Sequence, residues 1–402
     1  MSFPLHVHGR PEGLGETTVL GRVRTPAAGP LDGLDGDCVL LLRRGDPFSL
    51  GSGEVAGILQ AEVPDEGRLD RLRQAGVPLI HSLAYDHHLE EGDVVALHPN
   101  GYVRTLFKKS SRHNAIFATD RCNSWCLMCS QPPRPGDDDG RVEQHLRLVE
   151  LIDPACQELG ITGGEPALLK DGLLRILAAC RDRLPGTALH LLTNGRLFYY
   201  ERFAQDLAAL RHPRIMLGIP LYSAVDWIHD YMVQARGAYR QTILGLQNLG
   251  RWAVPVEIRV VVHGENHDGL EELAEFVYRN LPFAAHVAFM GLEMMGFAVP
   301  NAKLLWVAPE VYRDALEKAV LFLSQRGMKV SVYNLPLCHL PETLWPYARA
   351  SISDWKNDFA EVCGACRLRS SCSGFFTSTL RRQPDFRPQP FLQAEAFPSP
   401  PA

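Results

Sequence analysis

The 402-residue sequence has no apolar run approaching the roughly 18 residues that a membrane-spanning helix requires, so no membrane span is expected. Its opening, MSFPLHVHGR, lacks the apolar core of a secretory signal. It also lacks a basic excess. Forty-one Lys and Arg face 46 Asp and Glu, and a net charge of −5 argues against broad nucleic-acid binding. The basic cluster Lys108, Lys109 and Arg112 and the acidic run Asp137–Asp139 read as solvated surface. Ten cysteines without a signal predict a reducing compartment, the bacterial cytoplasm, where metal binding outranks disulfides. With 46% hydrophobic and 22% charged residues, the composition is that of a soluble globular chain long enough for two or three domains.

Seven of the ten cysteines fall into two groups. Cys38, Cys156 and Cys180 stand alone and read as small core hydrophobes. In ATDRCNSWCLMCSQPP, Cys122, Cys126 and Cys129 form C-x3-C-x2-C. A structural zinc site and the usual electron-transfer clusters take four ligands. Three thiolates on a four-iron, four-sulfur cube would leave one iron open. A catalytic zinc site or a buried cysteine cluster is the alternative.

Some thirty residues on, ELGITGGEPALL runs a short apolar strand into Gly163, Gly164, Glu165 and Pro166. The two glycines allow close backbone approach to a ligand, and Glu165 offers a carboxylate acceptor for an ammonium group. Taken alone, such a turn is also ordinary loop chemistry.

Residues 1–110 show strand-like segments at 37–44, 54–63 and 93–99 between Gly, Pro and Asp turns, with helical character around Gly67–Gly76. Pro99, Asn100 and Gly101 mark a hairpin before YVRTLF. This predicts a β-rich N-terminal domain, whose end weakly resembles a swivelling phosphohistidine-type domain. From about 113 the rhythm becomes strand, loop, helix. Strands are expected at 115–119, 158–162, 188–193, 214–221, 256–263 and 285–291, and helices at 169–183, 199–210, 237–251 and 267–280. Apolar strands flanked by amphipathic helices predict a parallel sheet with helices outside.

Together the cysteine triplet and the Gly-Gly-Glu-Pro turn resemble the radical SAM superfamily over roughly residues 113–330. The resemblance implies a partial (β/α)6 barrel at 111–330. It implies that Cys122, Cys126 and Cys129 hold a 4Fe–4S cluster whose open iron binds S-adenosylmethionine, and that Gly163, Gly164, Glu165 and Pro166 receive the methionyl ammonium. Met128 stands where that family usually has an aromatic, and Trp125 is the nearby aromatic that would cover the cofactor instead. Barrels of this kind do their chemistry at the C-terminal ends of the strands. That nominates Thr193, Asn194 and Gly195 after the third strand and Ser223, Asp226, His229 and Asp230 after the fourth, with Arg259 on the fifth and Glu293 after the sixth. Asn194 and Ser223 are the candidate cofactor contacts. Turn or cap chemistry is the competing account of each.

Cys363, Cys366 and Cys372 form C-x2-C-x5-C, and Cys338 lies upstream in NLPLCHLP. Four thiolates suit a closed site, either zinc or a cluster. The spacing after a barrel looks like the auxiliary-cluster region of the SPASM and twitch groups of peptide-modifying enzymes, which implies a second 4Fe–4S cluster in residues 331–380. A Pro-rich tail, 381–402, follows. The strings CNSWCLMCSQPP, NLPLCHLPETLWPYARASISDWKNDF and CGACRLRSSCSGFF bring residues 90–376 closer to the C-type radical SAM maturases of the His-Xaa-Ser peptide system. That resemblance implies modification of a precursor peptide with His-Xaa-Ser repeats, a partner radical SAM protein, and an electron donor such as flavodoxin or ferredoxin. The alternatives are a catalytically silent scaffold for a sister enzyme and an enzyme acting on a small molecule.

Overall fold

The computed structural model describes residues 5–26, 36–46, 54–350, 357–383 and 386–392. The chain divides into two compact units, Met1–Ile116 with Asp139–Leu159 and Arg175–Thr187, and Phe117–Asp138 with Gly160–Leu174 and Ala188–Ala402.

The first unit carries an eight-stranded sheet in the order His6–His8, Tyr102–Phe107, Val94–Leu97, Val19–Arg24, Cys38–Leu42, Gly57–Gln60, Leu79–His81, Arg10–Glu12. The expected hairpin joins Val94–Leu97 to Tyr102–Phe107 in antiparallel register. Its turn needs Gly101, whose φ of +83° few other residues accept. Cys38–Leu42 is apolar throughout because both its faces are covered. Val39 and Leu41 join Val7, Val23, Leu59 and Ile80 on one side. Leu40 and Leu42 meet Leu69 and Leu72 of helix Glu66–Gln74 on the other. Asp65 caps that helix through the Arg68 N–H.

The second sheet runs Ala348–Arg349, Val330–Tyr333, His286–Met290, Val256–Val261, Ile215–Pro220, Ala188–Leu192, Glu158–Thr162, Asn114–Phe117. Pairing from Ala188–Leu192 through Ala348–Arg349 is parallel. Helices Glu201–Ala209, Ala238–Arg251, Leu270–Asn280 and Pro309–Ser324 alternate with the strands. The result is a partial barrel, as expected. Val330–Tyr333 and Ala348–Arg349 extend the sheet beyond the six strands read from the sequence. A four-residue VSVY and a two-residue pair carry too little periodicity to stand out.

Strand alternation sorts the two faces. Leu191, Leu217, Ile219, Val256, Ile258, Val260, Val287 and Val332 are completely buried. The residues between them, His190, Gly218, Arg259, His286 and Tyr333, lie on the opposite face, which is polar and partly open. There Glu257 accepts from Arg259 at 2.7 Å and lies 2.7 Å from His286 Nδ1, whose Nε2 is 3.0 Å from Ser331 Oγ. Burial pushes the Glu257 carboxyl up, but hydrogen bonds from His190 and His286 and the Arg259 charge outweigh it and hold the group well below the usual range.

Among the described residues no helix is long and apolar enough to cross a membrane. Thr377–Arg382 is helical, and residues 384–385 and 393–402 of the expected tail lie outside the described residues.

His229 gives the fold a pH dependence. It is buried beside Tyr222, whose N–H donates to its Nδ1 at 3.3 Å, and burial holds the imidazole at about 4 against an ordinary 6.5. The unfolded chain therefore binds the proton first. Stability is full above pH 6.5 and falls as pH drops toward 4, by about 3 kcal/mol for a gap of this size. His263, held at about 3 by burial, acts in the same direction. Denaturant titrations between pH 7 and 4 should show a shallower loss for H229N than for wild type. Equal slopes would contradict this assignment.

Candidate functional site

The three N-terminal thiols sit on a loop that the chain fastens from several sides. Gly164 N donates to Thr119 O and Glu165 N to Arg121 O, both at 2.8 Å. A Cβ on Gly163 would lie 2.5 Å from Thr119 O, and one on Gly164 would lie 2.1 Å from Arg121 O. Gly163 has a φ of +143° as well. The close approach that these glycines permit is thus to the cysteine loop itself. Asp138, expected at the surface, is largely covered, accepting from Thr119 Oγ1 at 2.6 Å and pairing with Arg121 at 3.1 Å. Further along, Trp125 N donates to Val233 O, Leu127 N to Met232 O and Phe297 N to Cys129 O.

Glu165 is completely buried. Its carboxylate accepts from Ala167 N at 2.9 Å, Thr193 Oγ1 at 2.5 Å and Asn194 N at 2.6 Å. Burial raises its pKa while these donors oppose the rise. The carboxylate therefore ties the end of Glu158–Thr162 to the end of Ala188–Leu192, a structural task the sequence did not disclose. Its Oε2 retains acceptor capacity beyond the Asn194 N–H. Pro166 opens the short 3-10 turn that follows. Asn194 continues the chain of contacts, its Nδ2 donating to Asn123 Oδ1 at 2.6 Å.

Arg196 was not singled out from the sequence. Its guanidinium donates to Asn123 O, to Ser124 Oγ at 3.0 Å and to Gln241 Oε1 at 2.8 Å. Arginine after a turn is too common for the sequence to flag it. Burial pushes the Cys122 thiol up to about 11 and the Cys126 thiol higher still, and neighbouring thiols add to both shifts. The three sulfurs therefore share one neighbourhood. Soft thiol donors on a short loop fit an iron–sulfur cluster.

The Radical SAM superfamily model matches residues 116–277, which span this loop and turn. The chain carries a radical SAM domain. It is 26% identical over 180 residues to a GTP 3',8-cyclase of Rhodococcus opacus, covering 43% of this chain and 50% of that protein. It is 25% identical over 281 residues to a GTP 3',8-cyclase of Nautilia profundicola, covering 68% and 82%. The chain thus spans about half the length of the first of these relatives. Among solved structures, Streptococcus suis SuiB bound to precursor peptide SuiA aligns at 16% identity and a TM-score of 0.42, over 54% of this chain and 48% of that one.

Met128 is buried with Tyr222, Met232 and Met294, while Trp125 is 52% exposed and stacks on Phe297 at 6.2 Å. Other candidates have local duties. Ser223 Oγ accepts from Val225 N at 3.0 Å, a local turn ahead of helix Asp226–Val233. Asp226 accepts from Trp227 N and Asp230 from Gly237 N and Tyr239 N. His229 is a buried packing residue, and Arg259 belongs to the Glu257 network. Glu293 lies on the segment after His286–Met290, where its carbonyl accepts from Met295 N.

Cys338, Cys363, Cys366 and Cys372 line one pocket together with Phe359, Arg369 and Phe375. Leu337 N and Gly374 N donate to Cys372 Sγ at 3.5 Å. Among the described residues no three His, Cys, Asp or Glu side chains converge as a single metal ion would need. For tetrahedral zinc with bonds near 2.3 Å, sulfurs would lie about 3.8 Å apart.

Replacing Gly164 by Ala should dislodge the loop, because backbone and not a flexible side chain blocks the new methyl. Reconstituted G164A should hold markedly less iron at the first site than wild type. Wild-type loading would show that the glycine does not set the loop.

Proposed function

We propose that this chain is a radical SAM enzyme that modifies a ribosomally made peptide of the His-Xaa-Ser repeat type. It acts beside a partner radical SAM protein and takes electrons from a flavodoxin or ferredoxin. The observation that carries the proposal is the shared neighbourhood of Cys122, Cys126 and Cys129, braced by the Gly163–Glu165 turn at the C-terminal ends of the parallel strands.

Cys122, Cys126 and Cys129 would hold the cluster, and Gly163–Pro166, with Oε2 of Glu165, would receive the ammonium of S-adenosylmethionine. When bound, the pair supplies a 5′-deoxyadenosyl radical able to take hydrogen from an unactivated carbon. The chain's part is to position the reactants and keep water out. Asn194 and Arg196 hold the loop in place, and Trp125 with Phe297 forms an aromatic wall beside it.

The C-terminal thiols support the peptide reading. A peptide that loses two hydrogens gives up one as an atom and the other as a proton and an electron. Cys338, Cys363, Cys366 and Cys372 line one pocket, and their spacing after the barrel is the ground for reading a cluster there instead of zinc. What a second cluster would supply there is a one-electron acceptor.

A small-molecule substrate is the second reading, favoured by relatives named GTP 3',8-cyclase. The polar face of the sheet argues against a polyphosphate. On the strands from Glu158 to Tyr333 the single cation is Arg259, and Glu257 neutralises it.

Cys122, Cys126 and Cys129 changed together to Ala should remove about one 4Fe–4S equivalent and abolish 5′-deoxyadenosine release, since three thiolates are the minimum for such a site. Continued release would place the chemistry elsewhere. Changing Cys363 and Cys366 to Ala should lower iron and sulfide together. Loss of stoichiometric zinc instead would make the second site a structural staple. Co-expression with a His-Xaa-Ser peptide and a partner enzyme should lower the peptide's mass by hydrogens, and GTP should give no product. A GTP-derived product with an unmodified peptide would select the second reading.

A further inference from the structure

Arg196 begins the short 3-10 turn Arg196–Tyr199 directly after the Asn194-Gly195 pair. It is held from both ends. Its backbone N–H donates to Asn194 Oδ1 at 3.0 Å, and its Nε donates to Gln241 on helix Ala238–Arg251. The remaining face of the fork reaches Asn123 O and Ser124 Oγ, the peptide between the first two cysteines of the triplet. These acceptors are all neutral oxygens, so no carboxylate bonds the guanidinium, while the buried Glu165 carboxylate lies within reach of its charge.

We propose that Arg196 is a positioning residue for the first cluster: its fork clamps the Cys122–Cys126 loop, and its fixed charge favours the reduced state of a cluster held there. The inference rests on the radical SAM reading of the triplet. Reduction takes one electron from an external donor, converting [4Fe–4S]²⁺ to [4Fe–4S]⁺, with no bond made or broken. The reduced form carries one more negative charge, so a fixed cation beside it raises the potential. Lysine can keep the charge but not the planar, multi-donor fork.

The test is an EPR-monitored redox titration of anaerobically reconstituted full-length protein, following the signal that responds to added S-adenosylmethionine, with iron retention after gel filtration measured in parallel. R196Q should titrate at a more negative potential than wild type and retain less iron. R196K should keep the wild-type potential while still retaining less iron, which separates charge from clamping. An unchanged potential in R196Q, or a shifted one in R196K, would overturn the proposal, and R196K decides the matter if R196Q takes up no iron. A wild-type protein with no signal responsive to S-adenosylmethionine would overturn the radical SAM reading itself.

Discussion

The buried carboxylate of Glu165 is the constraint on which the site depends. A carboxylate removed from water is costly unless donors replace its hydration. Here the Thr193 hydroxyl and the N–H groups of Ala167 and Asn194 converge on it. Meeting that requirement brings two strand ends together. From Asn194 the contacts pass to Asn123, and from the next turn Arg196 reaches the same loop. Loop, turn and strand ends are therefore one hydrogen-bonded assembly. Cofactor binding would use a frame that the chain has already set.

The glycines serve the same end. Gly163 and Gly164 let two backbones meet where any side chain would collide with Thr119 or Arg121. Removing side chains where backbones must touch, and supplying donors where a charge must be buried, are complementary ways of fixing one geometry. The C-terminal thiols are organised differently. They line a cavity walled by aromatic rings, with Cys363 and Phe375 packed against Phe386 and Trp306. Between strands, the polar line of Glu257, His286 and Ser331 replaces the branched aliphatic layers usual inside a closed barrel.

Much of this was legible from residues alone because its signals are contiguous. The cysteine triplet and the Gly-Gly-Glu-Pro turn each occupy a few consecutive positions. Apolar strands such as 158–162 and 188–192 announce themselves by composition. What escaped depends on partners distant in sequence. Arg196 acquires meaning only when Asn123 and Ser124 lie against it, more than seventy residues away in the chain. Asp138 looks like one residue of a solvated acidic run until Thr119 and Arg121 claim it. Ser223 and His229 offered suitable chemistry at suitable strand ends, and the bonds they make are local, Ser223 in a turn and His229 in buried packing. Motif spacing finds donors, but it does not reveal which donors are already spent.

The most direct test of the account is whether Cys122, Cys126 and Cys129 hold a cluster that binds S-adenosylmethionine through an open iron. Electron–nuclear double resonance on the reduced, reconstituted protein, with cofactor labelled at the amino nitrogen and carboxylate oxygen, measures that contact. The account predicts hyperfine coupling from both labels to the cluster, lost when the three cysteines are replaced. A reduced cluster on these cysteines that shows no coupling to either label would contradict it.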